Sequence, residues 1–577
     1  MTATVAAEQH DGRAADAPGG TMRGRRRSWR IATGIIAAVV VVPVGVVASS
    51  VATPSVEVWR LLWRTGLAGM VGSTIVLMAG VVAGTLLLGG GLAWLVTAYT
   101  FPGRRALSWM LVLPMAVPSY VLAFVAVWLL DAPGPVQTAA RDLFGLEARF
   151  VPRGMTLAIV VFTIALYPYA YLLARAALSE QTATTYAAAR ILGLGPLRAA
   201  RRVVLPLARP SLAAAGALVA METLTDFATI QYFNIETVSV AVFQVWNGMF
   251  DRAAATELAA VVLGFAVTVI VVERALRGRA RYHQRGGAVP RLEPVALTGW
   301  ARWAATGVCV AVVGLGFVAP AVRLLGWSSV SVLTAGDGGY DPRYVTYLGN
   351  SVLVAGVVAV LCVAAAGVVT NAVRLSPDRV MRGLARATTI GYAVPGPVVA
   401  IGILVVLAGV DAALDLVGID IGAVLITGSL VGLLLAYVIR FLAPAMTSME
   451  ASLDKVSPAM TMSALTLGSP PRRVVTRVHL PLVRSGIGVG LVLVAVDALK
   501  ELPIMLLLRP FGFSTLAVWV YELASESLWT LVGLPALTIV AVATVPVVLL
   551  FRRTLRVAEV AAVSRVTPVT PRPGGSR

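Results

Sequence analysis

Four carboxylates stand where the sequence is otherwise apolar. Glu222 and Asp226 are four residues apart in SLAAAGALVAMETLTDFATI, and Asp497 and Glu501 are four apart in GIGVGLVLVAVDALKELPIM. Residues four apart share one face of an α-helix, so each run presents two carboxylates on one stripe. Carboxylate oxygens suit hard cations such as Mg2+ or Fe3+. A charge inside a membrane span costs roughly 2.5–3.5 kcal/mol on insertion scales, so these groups should face a bundle interior or water. Three readings stay open. The carboxylates line a path or gate, together with Lys500; or they are structural, with Lys500 neutralising Asp497 or Glu501 and Arg440 pairing with another; or they sit at exposed span ends.

Other chemistry is missing from the sequence. No G-x4-G-K-[ST] phosphate loop occurs, so the chain is not expected to hydrolyse ATP. Neither a Ser/His/Asp set, nor HExxH, nor a Cys/His metal spacing stands out; Cys309 and Cys362 lie in apolar runs, and His10, His283 and His479 are scattered. No catalytic residue and no metal ligand is assigned.

The elements that must hold these carboxylates follow from composition. The 577 residues are 58% hydrophobic and 13% charged, against about 25% charged in a soluble domain. That excludes a soluble enzyme and a disordered chain, and leaves an all-α integral membrane protein. Stretches of about 20 apolar residues are expected near 31–49, 70–98, 107–130, 155–178, 211–230 and 257–273, then 303–325, 348–372, 387–410, 421–443, 485–508 and 529–551. The first is longer than the apolar part of a cleaved signal and reads as an uncleaved span. With the N-terminus inside, 35 of the 47 Lys and Arg residues fall in cytoplasmic segments and nine outside. Both termini are therefore expected in the cytoplasm. The net charge of +19 needs no nucleic acid; it sets orientation beside anionic membrane lipid.

The chain repeats itself. AGVVA recurs at 79–83 and 355–359, and AVP at 116–118 and 393–395. YAAARILGLGPLRAARRVVLPLARP (186–210) parallels SALTLGSPPRRVVTRVHLPLVRS (463–485), both fitting L-G-x9-V-x-L-P. The offset stays at 275–277, so two parallel six-span units are expected, about a pseudo-two-fold axis along the membrane normal. The implied organisation is a basic tail at 1–30, a first repeat at 31–273, a linker at 274–302, a second repeat at 303–551 and a tail at 552–577.

Each copy of the loop reads as helix, break, helix. Gly193 and Gly468 supply permissive dihedrals, Pro196 and Pro471 start the next helix, and that helix is expected to end near Leu205-Pro206 and Leu480-Pro481. Two such knobs at equivalent places suggest docking to a two-fold cytoplasmic partner. Elsewhere, Pro118 and Pro395 mark hinges or tolerated kinks, Tyr167-Pro168-Tyr169 reads as packing, and GDGGYD (336–341) as an outer turn.

G-x9-[IV]-x-L-P after an Ala-rich stretch resembles the EAA loop of binding-protein-dependent ABC importer permeases. The resemblance places that loop over Ala187, Ala188, Ala189, Gly193, Leu205 and Pro206, and over Ser463, Ala464, Gly468, Leu480 and Pro481. The family's Glu position is Ala187 in one copy and Met462 in the other, and Ser463 replaces an Ala. LTDFATIQYFNIETVSVAVFQVW (224–246) and LKELPIMLLLRPFGFSTLAVWVYELAS (499–525) look like the fused permeases of ferric-iron importers. The resemblance implies a type I permease fold, two copies of a cytoplasmic ABC ATPase subunit carrying ATP and Mg, and an extracytoplasmic substrate-binding protein. It also implies a bacterial cytoplasmic membrane and no cofactor on this chain. Thiamine or phosphonate permeases are the alternative, and a proton-coupled secondary transporter is a further one.

Overall fold

The computed structural model describes residues 19–52, 54, 56–145, 154–181, 183–249, 251–277, 294–334, 341–418 and 428–563. Among them, twelve helices are long and apolar enough to cross a membrane. The first six spans are Arg27–Ala52, Leu67–Ala98, Ser119–Phe144, Met155–Leu178, Arg201–Thr225 and Arg252–Arg277. The second six are Trp300–Ser331, Arg343–Leu375, Gly396–Leu416, Leu430–Leu453, Pro471–Leu499 and Trp529–Leu549. The chain is a multi-pass membrane protein. Parts of the element order recur: a short helix, a 3-10 turn and a span helix follow one another from Arg104 and again from Arg379, and a short helix, a π-turn and a span helix from Pro196 and again from Pro471.

Several boundaries differ from the hydropathy reading, and proline explains two of them. The third span was expected at 107–130 and the ninth at 387–410. Instead a helix (Arg104–Met110; Arg379–Thr388) and a 3-10 turn (Leu113–Ala116; Ile390–Ala393) come first. Val117 and Val394 are then extended, and the span helix starts after Pro118 and Pro395. A residue before proline avoids the helical region, and proline itself has no N–H to donate, so an apolar run is cut without any drop in hydropathy. The tenth span lies at Leu430–Leu453 rather than 421–443; residues 419–427 are outside the described set, as is most of GDGGYD.

The leading spans cross between halves. The first packs on the eighth and ninth spans and on the helix Arg379–Thr388. A Cβ at Gly402 would lie 2.5 Å from the Pro43 carbonyl oxygen, so only glycine permits that approach. Arg30 closes the contact by donating to Asp378 at 2.6 Å. The Met381 N–H, and then the Arg30 guanidinium, hold the Asp378 carboxyl below the ordinary carboxylate range. Conversely, the seventh span packs against the twelfth and against the third and fourth. Its Arg323 lies 3.6 Å over the Trp128 ring and 4.9 Å over Trp327, which stacks on Trp529.

Candidate translocation site

The fifth and eleventh spans break where their acids fall. They were expected to run through 211–230 and 485–508, yet the helices end at Thr225 and Leu499. Short helices, Phe227–Tyr232 and Pro503–Leu508, then follow. So the two carboxylates of each half do not share a continuous helical stripe. Asp226 instead caps the short helix, accepting from the Thr229 N–H at 3.1 Å and the Thr229 hydroxyl at 2.7 Å, and from Ser119. Glu501 does the same for the second, accepting from the Ile504 N–H at 3.2 Å. A side-chain acceptor at a helix start contributes about 1 kcal/mol.

The irregular backbone beyond each break is satisfied by the same device twice. The Val238 N–H donates to Thr74 Oγ1 at 3.2 Å, and the Leu516 N–H donates to Ser351 Oγ at 2.9 Å. Non-helical chain at membrane depth needs such partners, because no water is there to supply them.

All four carboxylates line one cavity of about 100 Å³ between the halves, with Lys500, Arg440, Tyr120, Tyr169 and Tyr392. Arg440, whose side chain is 2% exposed, donates to Glu222 Oε1 at 3.1 Å across the halves and to the Val394 carbonyl at 3.1 Å. Lys500 pairs with Asp497 at 2.9 Å. The Arg440–Glu222 and Lys500–Asp497 pairings of the structural reading are present, and all four acids lie at the cavity wall, none of them fully exposed. Four carboxylates face two cations, so the cavity favours positive charge. Among the described residues no three His, Cys, Asp or Glu side chains converge as a metal-binding set. A cation would meet oxygens here but no closed coordination shell.

Two buried polar atoms on the wall, Tyr120 Oη and Arg440 Nε, have no hydrogen-bond partner among the described residues. Leaving a buried polar atom unmet costs about 1–3 kcal/mol, which water or a passing ligand would recover. Toward one end, Phe124 packs edge-on to Tyr232 at 4.6 Å, and the Tyr521 hydroxyl donates to Gln231 Oε1 at 3.3 Å across the halves. Tyr169 was read as packing; it lines the cavity, while Tyr167 packs and donates to the Leu111 carbonyl at 2.7 Å. Pro168 within the fourth span was the available signal that this YPY run is unusual.

The two knobs are built alike. The helices Ala183–Ile191 and Pro458–Thr466 hold Ala187, Ala188 and Ala189, and Ser463 and Ala464. Gly193 (φ +85°) and Gly468 (φ +78°) are left-handed. The Leu194 N–H reaches the Ala189 carbonyl and the Gly193 N–H that of Arg190, both at 3.1 Å. Ser469 to Ala464 and Gly468 to Leu465 repeat this at 3.0 Å. This is the Schellman closure that glycine at C′ allows. At the tips Ile191, Leu192 and Leu467 are 85%, 83% and 86% exposed, an arrangement that suits a covering surface.

The second knob helix does not end at Leu-Pro as expected. Short helices from Pro196 and Pro471 pass through π-turns, Ala200–Val204 and Val475–His479, straight into helices starting at Leu205 and Leu480. Pro206 and Pro481 lack the N–H for the regular ladder and would clash one turn back, so the ladder widens there.

Each knob is tied to its half by equivalent positions with different chemistry. In the first, Tyr186 meets Trp94 edge-on at 5.6 Å and Val204 is buried beside them. In the second, Thr461 and His479 stand at the places of Tyr186 and Val204, and Asn371 of the eighth span joins them. Asn371 Nδ2 donates to the Gly367 carbonyl at 2.7 Å, which leaves Oδ1 to accept from His479 Nδ1 at 2.7 Å; Nε2 lies 3.0 Å from Thr461 Oγ1. His479→Leu takes the partner from Asn371 Oδ1 and from Thr461 Oγ1 and is expected to cost about 1–3 kcal/mol. Hydrogen exchange over Pro458–Thr466 should speed up while that over Ala183–Ile191 stays as it was.

Residues 85–279 match the family described as binding-protein-dependent transport system inner membrane component. A Fe(3+)-transport system permease protein of Haemophilus influenzae is 25% identical over 500 residues, covering 86% of this chain and 92% of the relative.

Residues 85–279 are thus similar to binding-protein-dependent importer permeases.

The similarity to the Haemophilus permease runs through both halves of the chain. Two other permeases match over less of it. The sulfate transport system permease of Salmonella typhimurium is 27% identical over 33% of this chain and 68% of its own length. The molybdenum transport system permease of Escherichia coli is 26% identical over 31% of this chain and 80% of its own. In transporters built of repeats, interrupted helices line the space between the repeats, and residues at both breaks here line one cavity.

Proposed function

We propose that this chain is a permease that carries ferric iron across a bacterial cytoplasmic membrane, with both termini on the cytoplasmic side. The single observation that carries the reading is the cavity between the halves, where four carboxylates outnumber two cations. Similarity to an iron permease over most of both chains supports the same substrate. An extracytoplasmic binding protein delivers the iron, so the cavity needs no tight site of its own. Two copies of an ATPase subunit, holding ATP and Mg, dock on the two knobs through their exposed tips, and this chain binds no cofactor. Closure of the ATPases moves the halves between inward- and outward-facing states.

The test is uptake of radioactive ferric iron by proteoliposomes holding the assembled complex. Asp226→Ala/Glu501→Ala should lower uptake about tenfold or more, equivalent to about 1.4 kcal/mol on the barrier, with assembly retained. Unchanged uptake would remove the cavity from the path. Uptake that survives collapse of the proton gradient but not ATP depletion excludes a secondary transporter. Thiamine or a phosphonate carried in place of iron would overturn the substrate and leave the class standing.

A further inference from the structure

Away from the path, two apolar grooves open on the outer surface of the first half. One, of about 660 Å³, lies between the second, fifth and sixth spans, with Met78, Ala217 and Val272 on its walls. The other, of about 470 Å³, lies between the second, fourth and fifth, with Gly91, Trp94 and Leu178. They meet at Leu86, Arg201, Leu205 and Leu212, which line both. Arg209 lines the larger groove, so Arg201, Leu205 and Arg209 mark its basic end while Ala213 and Ala217 continue the same side of the helix inward. Arg201 and Arg209 are exposed and make no hydrogen bond or ion pair with another described residue. Glu273, at the edge of the larger groove, is already paired with Arg277.

From this geometry we infer a specific lipid site: one two-chain anionic phospholipid sits astride Leu205, with an acyl chain in each groove and its phosphate on Arg201 and Arg209. A bilayer-facing groove cannot stay empty without forfeiting dispersion contact along its walls, so chains fill it. Two apolar channels diverging from one cationic point match the shape of a two-chain lipid. Guanidinium groups bind phosphate through paired N–H donors, which a zwitterionic headgroup satisfies less well because its own cation competes. The second half does not repeat the site: Thr476 stands where Arg201 does, and only Arg484 matches Arg209. One lipid is therefore expected per chain.

Trp94 on the smaller groove reports occupancy. The full chain is reconstituted in phosphatidylcholine vesicles with a minor fraction of phosphatidylglycerol brominated on both chains, or of phosphatidylcholine brominated likewise. The signal is the quenching lost on Trp94→Phe. Brominated phosphatidylglycerol should quench at a lower fraction than brominated phosphatidylcholine, by roughly fivefold for each arginine. Arg201→Gln/Arg209→Gln should erase that preference and Arg201→Lys/Arg209→Lys retain most of it. Ala217→Phe, which fills the larger groove, should weaken quenching by both lipids. Equal quenching by the two lipids in the unaltered chain overturns the site, and so does a preference that persists in the double Gln variant.

Discussion

Arg440→Met lowers the thermal stability of the chain sharply, and adding Glu222→Gln restores most of the loss. Arg440 is buried where the two halves meet, and its guanidinium is shared between Glu222, the Val394 carbonyl and the face of Tyr392. Removing it leaves the Glu222 carboxylate facing a small cavity that already holds three others. Breaking one side of a buried ion pair costs about 3–5 kcal/mol, because the surviving charge keeps its desolvation penalty and loses its partner. Neutralising that charge removes most of the penalty, so the double variant should melt close to the unaltered chain. Melting followed in lipid nanodiscs checks this. If the single and double variants melt together, the pair is not what joins the halves at this point.

The second large effect is on coupling. Gly193→Val together with Gly468→Val should abolish co-purification with the ATPase subunit and stop uptake. Both glycines are left-handed, a conformation that costs an ordinary L-residue roughly 1–2 kcal/mol and a β-branched one more. Escaping it breaks the two closing hydrogen bonds of each knob and swings Leu192 and Leu467 away from where a partner would meet them. Asparagine tolerates that conformation, so Gly193→Asn/Gly468→Asn should keep both association and uptake. Retention of full coupling in the double Val variant would sink the docking role, whereas failure of the Asn pair would point to contact with the glycine itself.

The apolar spans were legible because length and hydropathy suffice for them, and the knobs because Gly193, Pro196, Gly468 and Pro471 punctuate the chain in the same way twice. The break in the fifth span was hard to read, since FATIQY has no proline or glycine to mark it, while Pro503 at the head of PIMLLL was a readable mark for the eleventh. What stops each helix is a carboxylate turned back to cap the next one, which depends on Asp226 and Glu501 finding the N–H groups of Thr229 and Ile504. The Arg440–Glu222 pair joins residues 218 apart in sequence, and no local pattern announces it. Tyr169 carried only the weak hint of a neighbouring proline. The π-turns had a readable cause in Pro206 and Pro481, although a proline inside a helix more often ends it than widens it.

The unequal ties of the two knobs have a mechanical meaning. Rings meeting edge to edge, as Trp94 and Tyr186 do, can slide past one another and keep most of their contact. The Thr461–His479–Asn371 chain is directional, holding at one length and one angle and then letting go. Equal strokes delivered to both knobs would thus meet a compliant joint in the first half and a stiff, brittle one in the second. The stiff joint hands its stroke on to the eighth span at once, while the compliant one absorbs the start of its own. A duplicated machine pushed symmetrically would then move one half ahead of the other.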